Sequence, residues 1–287
     1  MDIFKLPKKI WKEVRITIPR ERIYGYWWQE RINFGDLITP LILEKLSGRV
    51  AFNVIGARMS RKKALCGAGS LLQGIRYPNL TIWGSGFLSP RVRDRNAFPR
   101  QVLAYRGPLS ARFAATLGWQ RTSLLGDPGI VIPLFIPPEQ DRHLIGLVLH
   151  YSHWHLLDKD FCNDSDFIVI DVQQSVEDVA RLVSSCQIIV SSSLHGLVLA
   201  AAYGKPNVWL EPAVKRLDSF KFEDFYGAFD IERQPYNFRG NRMTKSELYK
   251  IAETAANSIA QQEVANRAEL LMRSLEDWMG VSRSIDA

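Results

Sequence analysis

Short apolar runs, each closed by a turn and followed by a helical pattern, recur along most of this chain, and that alternation leaves few folds open. Strands joined through helices pair in parallel and need both faces covered, so the class is α/β. In the first half the spacing predicts strands over Ile23–Trp28, Val50–Val54, Lys63–Leu65, Leu80–Trp83 and Gln101–Tyr105. Helices are expected over Leu37–Leu46, closed by Ser47-Gly48, and over Pro108–Leu117, closed by Gly118. Pro133, Pro137 and Pro138 then interrupt both periodicities and mark a linker. A second series follows, with strands His143–His150, Asp166–Val172, Gln187–Ser191 and Pro206–Leu210. Its helices are expected over Ser175–Ser185, opened by Ser175 with Asp178 three residues on, and over His195–Tyr203. A polar, Ala-rich stretch from Thr244 to about Met279 reads as C-terminal helix in one or two pieces, and Gly280–Ala287 as a frayed tail.

This pattern predicts two Rossmann-like lobes, residues 1–138 and 139–287, with a cleft between the carboxyl ends of their sheets. Residues 1–22 form a basic arm of seven basic against three acidic side chains, interleaved with Leu6, Ile10, Trp11, Val14 and Ile18. Such an arm is either solvated or rests on an anionic membrane surface, and Pro7 and Pro19 limit any helix in it. The net charge of +7 admits nucleic acid, an anionic bilayer or a small acidic substrate. The basic residues are dispersed and no nucleic-acid motif with interleaved aromatics is present, so nucleic acid is not an expected partner. No secretory leader and no apolar run of about 20 residues is found. Cys66, Cys162 and Cys186 stand far apart and read as buried thiols of a reducing compartment, so a cytoplasmic location is expected.

Polar residues just after strands are the candidates for chemistry. Asn33-Phe34-Gly35-Asp36 opens a helix: Asn33 can cap it, Gly35 allows close approach, and Asp36 places a carboxylate in the first turn. The same four residues also make an ordinary capped turn. Gly84-Ser85-Gly86 leaves backbone N–H groups free for an anion, but it lacks the remaining glycine and distal acid of a dinucleotide site. Arg106-Gly107-Pro108 sets an arginine fork beside a helix N-terminus, to grip a carboxylate or to pair with Asp127. His150, His153 and His155 crowd one segment, yet their spacing suits no standard metal site and no metal is expected; His150 is the one at the strand end. In Ser191–Gly196, the hydroxyls of Ser192 and Ser193 and the free N–H groups of a helix mouth converge beside His195. Gly196 costs helix stability there and suggests a close approach.

Taken in order, Asn33–Asp36, Trp83–Gly86, Arg106–Pro108, Gly126-Asp127-Pro128, His150-Tyr151, Ser191–Gly196 and Lys221–Tyr226 resemble the polysaccharide pyruvyl transferase family, its bacterial exopolysaccharide ketal-pyruvate branch in particular. The resemblance implies a two-lobed fold like that of GT-B glycosyltransferases. It implies phosphoenolpyruvate as co-substrate, with no separate cofactor, and a sugar acceptor in an exopolysaccharide or its lipid-linked repeat unit. The protein would then work in the cytoplasm, in peripheral contact with the inner face of the plasma membrane. His195 would be acid or phosphate ligand, Asp36 or His150 the base for the acceptor hydroxyl. Many family members carry arginine directly before Leu-His-Gly; Ser193 stands there in this chain, which leaves the donor carboxylate to Arg106 or Lys221. The rival reading is a glycosyltransferase of the same architecture using a nucleotide sugar, for which Glu211 is the candidate ribose ligand.

Overall fold

Ten strands lie in two all-parallel sheets of five in the computed structural model, which describes residues 21–56, 62–92, 97–158, 166–213, 219–256 and 259–281. The basic arm up to Arg20, Cys162 and the tail beyond Val281 lie outside the described residues. The first sheet holds β1 (Arg22–Gly25), β2 (Val50–Asn53), β3 (Ala64–Cys66), β4 (Leu80–Trp83) and β5 (Gln101–Ala104), in the order β2-β1-β3-β4-β5. The second holds β6 (His143–Val148), β7 (Phe167–Val169), β8 (Cys186–Ser191), β9 (Asn207–Pro212) and β10 (Tyr236–Phe238), in the order β10-β9-β8-β6-β7. Counted from its own first strand, each sheet runs second, first, third, fourth, fifth. The order reverses between the first and third strands of each lobe, and ligands of such sheets bind at that crevice.

The expected strands start where the sequence places them to within a residue, but several end early. β1 stops at Gly25 rather than Trp28, and β6 at Val148 rather than His150. The released residues turn into the crevice. Helix α1 (Phe34–Ser47) begins three residues before the apolar pattern, because the Asn33 side chain accepts the Gly35 N–H at 3.0 Å. It ends at Gly48, whose φ of 64° is the left-handed cap. Helix α2 (Pro108–Thr116) has proline in its first turn, and α3 (Val176–Ser184) is capped by Ser175 on the Asp178 N–H. Helices α4 (Leu194–Ala202), α5 (Phe220–Gly227), α6 (Lys245–Ala252) and α7 (Gln261–Met279) complete the set. Thr244 and Glu247 close a capping box on α6.

The passage marked by Pro133, Pro137 and Pro138 is exposed at Leu134, Pro137 and Pro138, but the segment leading into it is core. Pro128–Leu134 winds into a 3₁₀ helix in which Ile130, Val131 and Ile132 are buried against α1, α4 and α7. α7, which the sequence grouped with the second lobe, crosses back over the first. Trp83 Nε1 donates to the Leu271 carbonyl at 3.0 Å, and Trp278 Nε1 donates to Thr81 Oγ1 at 3.0 Å. One apolar cluster therefore runs through both lobes, from Ile38 and Leu65 through Ile130 to Leu197 and Leu271. Each such side chain contributes about 1.5–3 kcal/mol on burial. No helix among the described residues is long and apolar enough to cross a membrane. Burial pushes the Cys66 and Cys186 thiols up to about 12, so both remain thiols at neutral pH.

Candidate functional site

The two crevices share one cleft of about 550 Å³. Asn33 and Asp36 reach it from the start of α1, Ser70 from the turn after β3, and His150 with Tyr151 from the end of β6. Ser193 and His195 enter from the mouth of α4, and Lys221 from α5. The second-lobe side is polar, with Lys221 as its cation. The first-lobe side carries an apolar patch of Trp28, Leu71, Leu88 and Val92 beside the polar Arg31, Gln73, Ser89 and Arg91, and Trp28 is 41% exposed.

His195 sits in the first turn of α4, only 8% exposed. Its ring makes an edge contact with Phe34, 6.2 Å between centres, and lies against Gly35, where a β-carbon would overlap Nδ1. Gly35 is thus a seat for the imidazole rather than a substrate contact. Nε2 points to Asp127 Oδ2 at 3.7 Å, and neither atom has a hydrogen-bond partner. Burial lowers the imidazole pKa, Asp127 raises it, and Lys221 and Arg106 lower it. The Asp36 carboxyl, in the first turn of α1, is pushed up to about 7 by burial, against the pull of Lys221. His150 is driven down to about 3, mainly by burial and further by the charges of Lys221, His153 and Arg31. It stays neutral, its Nδ1 is 2.7 Å from Ser152 Oγ, and its ring lies tilted against Tyr151 with 4.0 Å between centres. The Arg31 guanidinium covers Tyr151, 3.7 Å from its ring centre, and so links the lobes at the cleft.

Several expected contacts are placed elsewhere. Arg106 is fully buried and closed to the cleft. Its Nε donates to Asp224 Oδ2 at 3.0 Å, its other two nitrogens to Ser70 Oγ at 2.7 Å and the Phe87 carbonyl at 2.6 Å. Its partner is therefore Asp224 on α5, not Asp127. Gly84, at φ 82°, is glycine because a β-carbon would strike the Gly126 carbonyl 2.5 Å away. Ser85 is buried with its hydroxyl donating to the Gly69 carbonyl at 2.8 Å. Ser192 is likewise buried: its Oγ accepts the His150 N–H at 3.0 Å and lies 2.9 Å from His153 Nδ1. Gly196 lets α4 pack on Ser191 and Val148, which is a packing reason and not a ligand. Glu211 is buried in β9, away from the cleft. Among the described residues no group of three or more His, Cys, Asp or Glu could hold a metal ion.

The family model for polysaccharide pyruvyl transferases matches residues 43–213. The chain belongs to the polysaccharide pyruvyl transferase family. The matched range of this pyruvyl transferase takes in Asp127, His150, Ser193 and His195; Asn33–Asp36 and Lys221 flank it. An uncharacterised protein of Acanthamoeba polyphaga mimivirus is 28% identical over 235 residues, 76% of this chain and 78% of its own. The succinoglycan biosynthesis protein ExoV of Rhizobium meliloti (strain 1021) is 25% identical over 260 residues, 85% of this chain and 78% of its own. A functionally uncharacterised protein of Klebsiella pneumoniae superposes with a TM-score of 0.43 at 12% identity, over 77% of this chain and 93% of that one. The wall teichoic acid polymerase TagF superposes at 0.39 with 8% identity, over 90% and 86%.

Sequence reading missed Asp127 as the partner of His195, and Trp28 and Arg31 as cleft residues. Gly126-Asp127-Pro128 was visible as a motif, but only the fold brings it to α4. Trp27-Trp28 looked like strand continuation, and the early end of β1 is what turns Trp28 outward. The cleft thus sets Lys221 against Asp36, whose carboxyl burial pushes up to about 7.

Proposed function

We propose that this protein transfers the pyruvyl group of phosphoenolpyruvate to two hydroxyls of one sugar, in an exopolysaccharide or its lipid-linked repeat unit, as a cyclic ketal with release of phosphate. The observation that carries the reading is the cleft floor, where Lys221, His195 and the mouth of α4 face Asp36. A dianion needs cations and free N–H groups, and the Ser193 side chain caps none of those at α4. Lys221 takes the place of Arg106 as the cation for donor carboxylate or phosphate, since Arg106 is spent on Asp224.

The chemistry follows from these groups. Protonation of the donor methylene makes it a methyl group and leaves a cationic carbon, which one sugar hydroxyl attacks while losing its proton. A second hydroxyl then displaces phosphate, loses its proton and closes the ring; of the two protons released, one balances that taken by the methylene and the other leaves with phosphate or solvent. His195 is the proton donor or phosphate ligand, and Asp36 the acceptor of the hydroxyl proton. His150, with a conjugate acid near 3, is a weak base and serves better to order Tyr151. The apolar patch of Trp28, Leu71, Leu88 and Val92 suits the C–H face of the acceptor sugar. Work from the cytoplasmic side of a membrane fits a donor made in that compartment and an acceptor on a lipid.

Phosphate release from phosphoenolpyruvate that depends on added sugar acceptor is the test. His195→Ala should lower that release by about 10²–10⁴-fold with little change in the unfolding midpoint. Turnover of a nucleotide sugar, without phosphate release from phosphoenolpyruvate, would sink the reading.

A further inference from the structure

One buried acid has no task in that scheme. Asp127 is fully buried, and its Oδ1 accepts the Gly129 N–H at 2.9 Å as cap of the 3₁₀ segment. Its Oδ2 has no hydrogen-bond partner, and neither has Nε2 of His195, 3.7 Å away. Unpaired polar atoms in a dry interior are costly and rare. Two of them aimed at each other, just beyond hydrogen-bond length, make a pair.

We infer that Asp127 is the positioning residue of His195: it fixes the tautomer with hydrogen on Nε2, leaves Nδ1 for the substrate, and balances the imidazolium while the ring holds a proton. This rests on the pyruvyl-transfer reading only for what the proton is used for. With hydrogen on Nδ1 instead, the Nε2 lone pair would face the carboxylate lone pairs, and that arrangement is repulsive. Nδ1 lies beside Gly35, the one residue of that turn with no side chain to cover it. Other titratable or charged groups around the ring are Lys221 on α5, Arg106 after β5, and, along the same cleft, Asp36 and His150. Burial, Lys221 and Arg106 all disfavour the imidazolium, and Asp127 opposes them.

Asp127→Asn tests the role, since it keeps the size and the cap but turns an N–H toward Nε2 and so reverses the tautomer. Turnover should fall by roughly 10²–10⁴-fold, as when an orienting aspartate is removed from a histidine elsewhere, while KM for phosphoenolpyruvate moves much less. The limb of the kcat–pH profile that needs protonated His195 should shift to lower pH. In a His195→Ala background the same change should cost nothing more, because Asp127 acts through the imidazole. Normal turnover with an unshifted profile, or a fully additive loss in the double variant, overturns the proposal. Should Asp127→Asn not fold, 15N NMR of the wild-type protein without donor decides: hydrogen on Nε2 of His195 is expected, and hydrogen on Nδ1 overturns it. That spectrum needs no turnover, so a failure of acceptor-dependent phosphate release would strike the functional reading and leave the pair to be judged by its tautomer.

Discussion

At the scale of single residues, the site is defined by what burial does to three side chains that share one cleft. Asp36 is the most open to test. Its folded pKa, about 7, stands above the ordinary carboxylate value of 3.8. Such a group lends stability that is full below about 3.8, falls as pH rises, and is gone above about 7. Asp36→Asn should therefore unfold at higher denaturant than wild type at pH 8 and lose that advantage by pH 4, while its turnover drops by about 10²–10⁴-fold. A tenfold change in proton affinity on folding is worth roughly 1.4 kcal/mol, so urea titrations at the two pH values will resolve the difference; an advantage that persists at pH 4 would rule out the cause given. Of the cleft residues, those next to a strand end or a helix cap, Asn33, Asp36, His150 and His195, were legible from spacing. Arg106 was not. Its partner Asp224 lies 118 positions away, and no local pattern distinguishes a guanidinium that waits for substrate from one already paired.

Among the elements, α5 shows how that pairing shapes the site. Asp224 accepts from Arg106, from the Ser110 N–H at 2.8 Å and from Ser110 Oγ at 2.6 Å, which ties the end of β5 and the start of α2 to α5. The same short helix carries Lys221 into the cleft. Arg106→Ala leaves a buried carboxylate unpaired and should cost about 3–5 kcal/mol in urea unfolding; Arg106→Lys, lacking the planar fork, should recover only part of it. A loss below about 1 kcal/mol would mean that the strut is not holding α5. α5 and β10 are also the α-helix and the strand that the sequence did not reveal. Phe222, Phe225 and Tyr226 do keep helical spacing, but Phe220–Gly227 is only eight residues long and buries Asp224 among them, which breaks the apolar stripe. β10 is three residues long and pairs only with β9 at the sheet edge. The longer strands, by contrast, were visible because fully covered parallel strands read as unbroken apolar runs.

Over the whole molecule, the repeated strand order gives each lobe a crevice and sets both crevices on one cleft. The lobes are not independent, since a single apolar cluster and the 3₁₀ segment Pro128–Leu134 run through them. Leu271→Ala on α7, fully buried in that cluster, should cost about 2–5 kcal/mol, and circular dichroism and tryptophan fluorescence should still report one coincident unfolding transition. Two separate transitions would show that the shared core does not couple the lobes. The sequence announced two lobes and a proline-marked passage, but not the buried 3₁₀ helix that leads into it, because buried 3₁₀ turns have no periodicity of their own.

The return of α7 to the first sheet has a consequence for synthesis. Trp83 and Thr81 take their hydrogen-bond partners from residues 188 and 197 positions further along. As the chain leaves the ribosome, its first lobe can form strands and helices early but must keep an apolar flank uncovered until residues near Trp278 emerge. Such long-range closure is slow, and uncovered apolar surface invites aggregation. A chaperone that shields that flank during translation would act at β4.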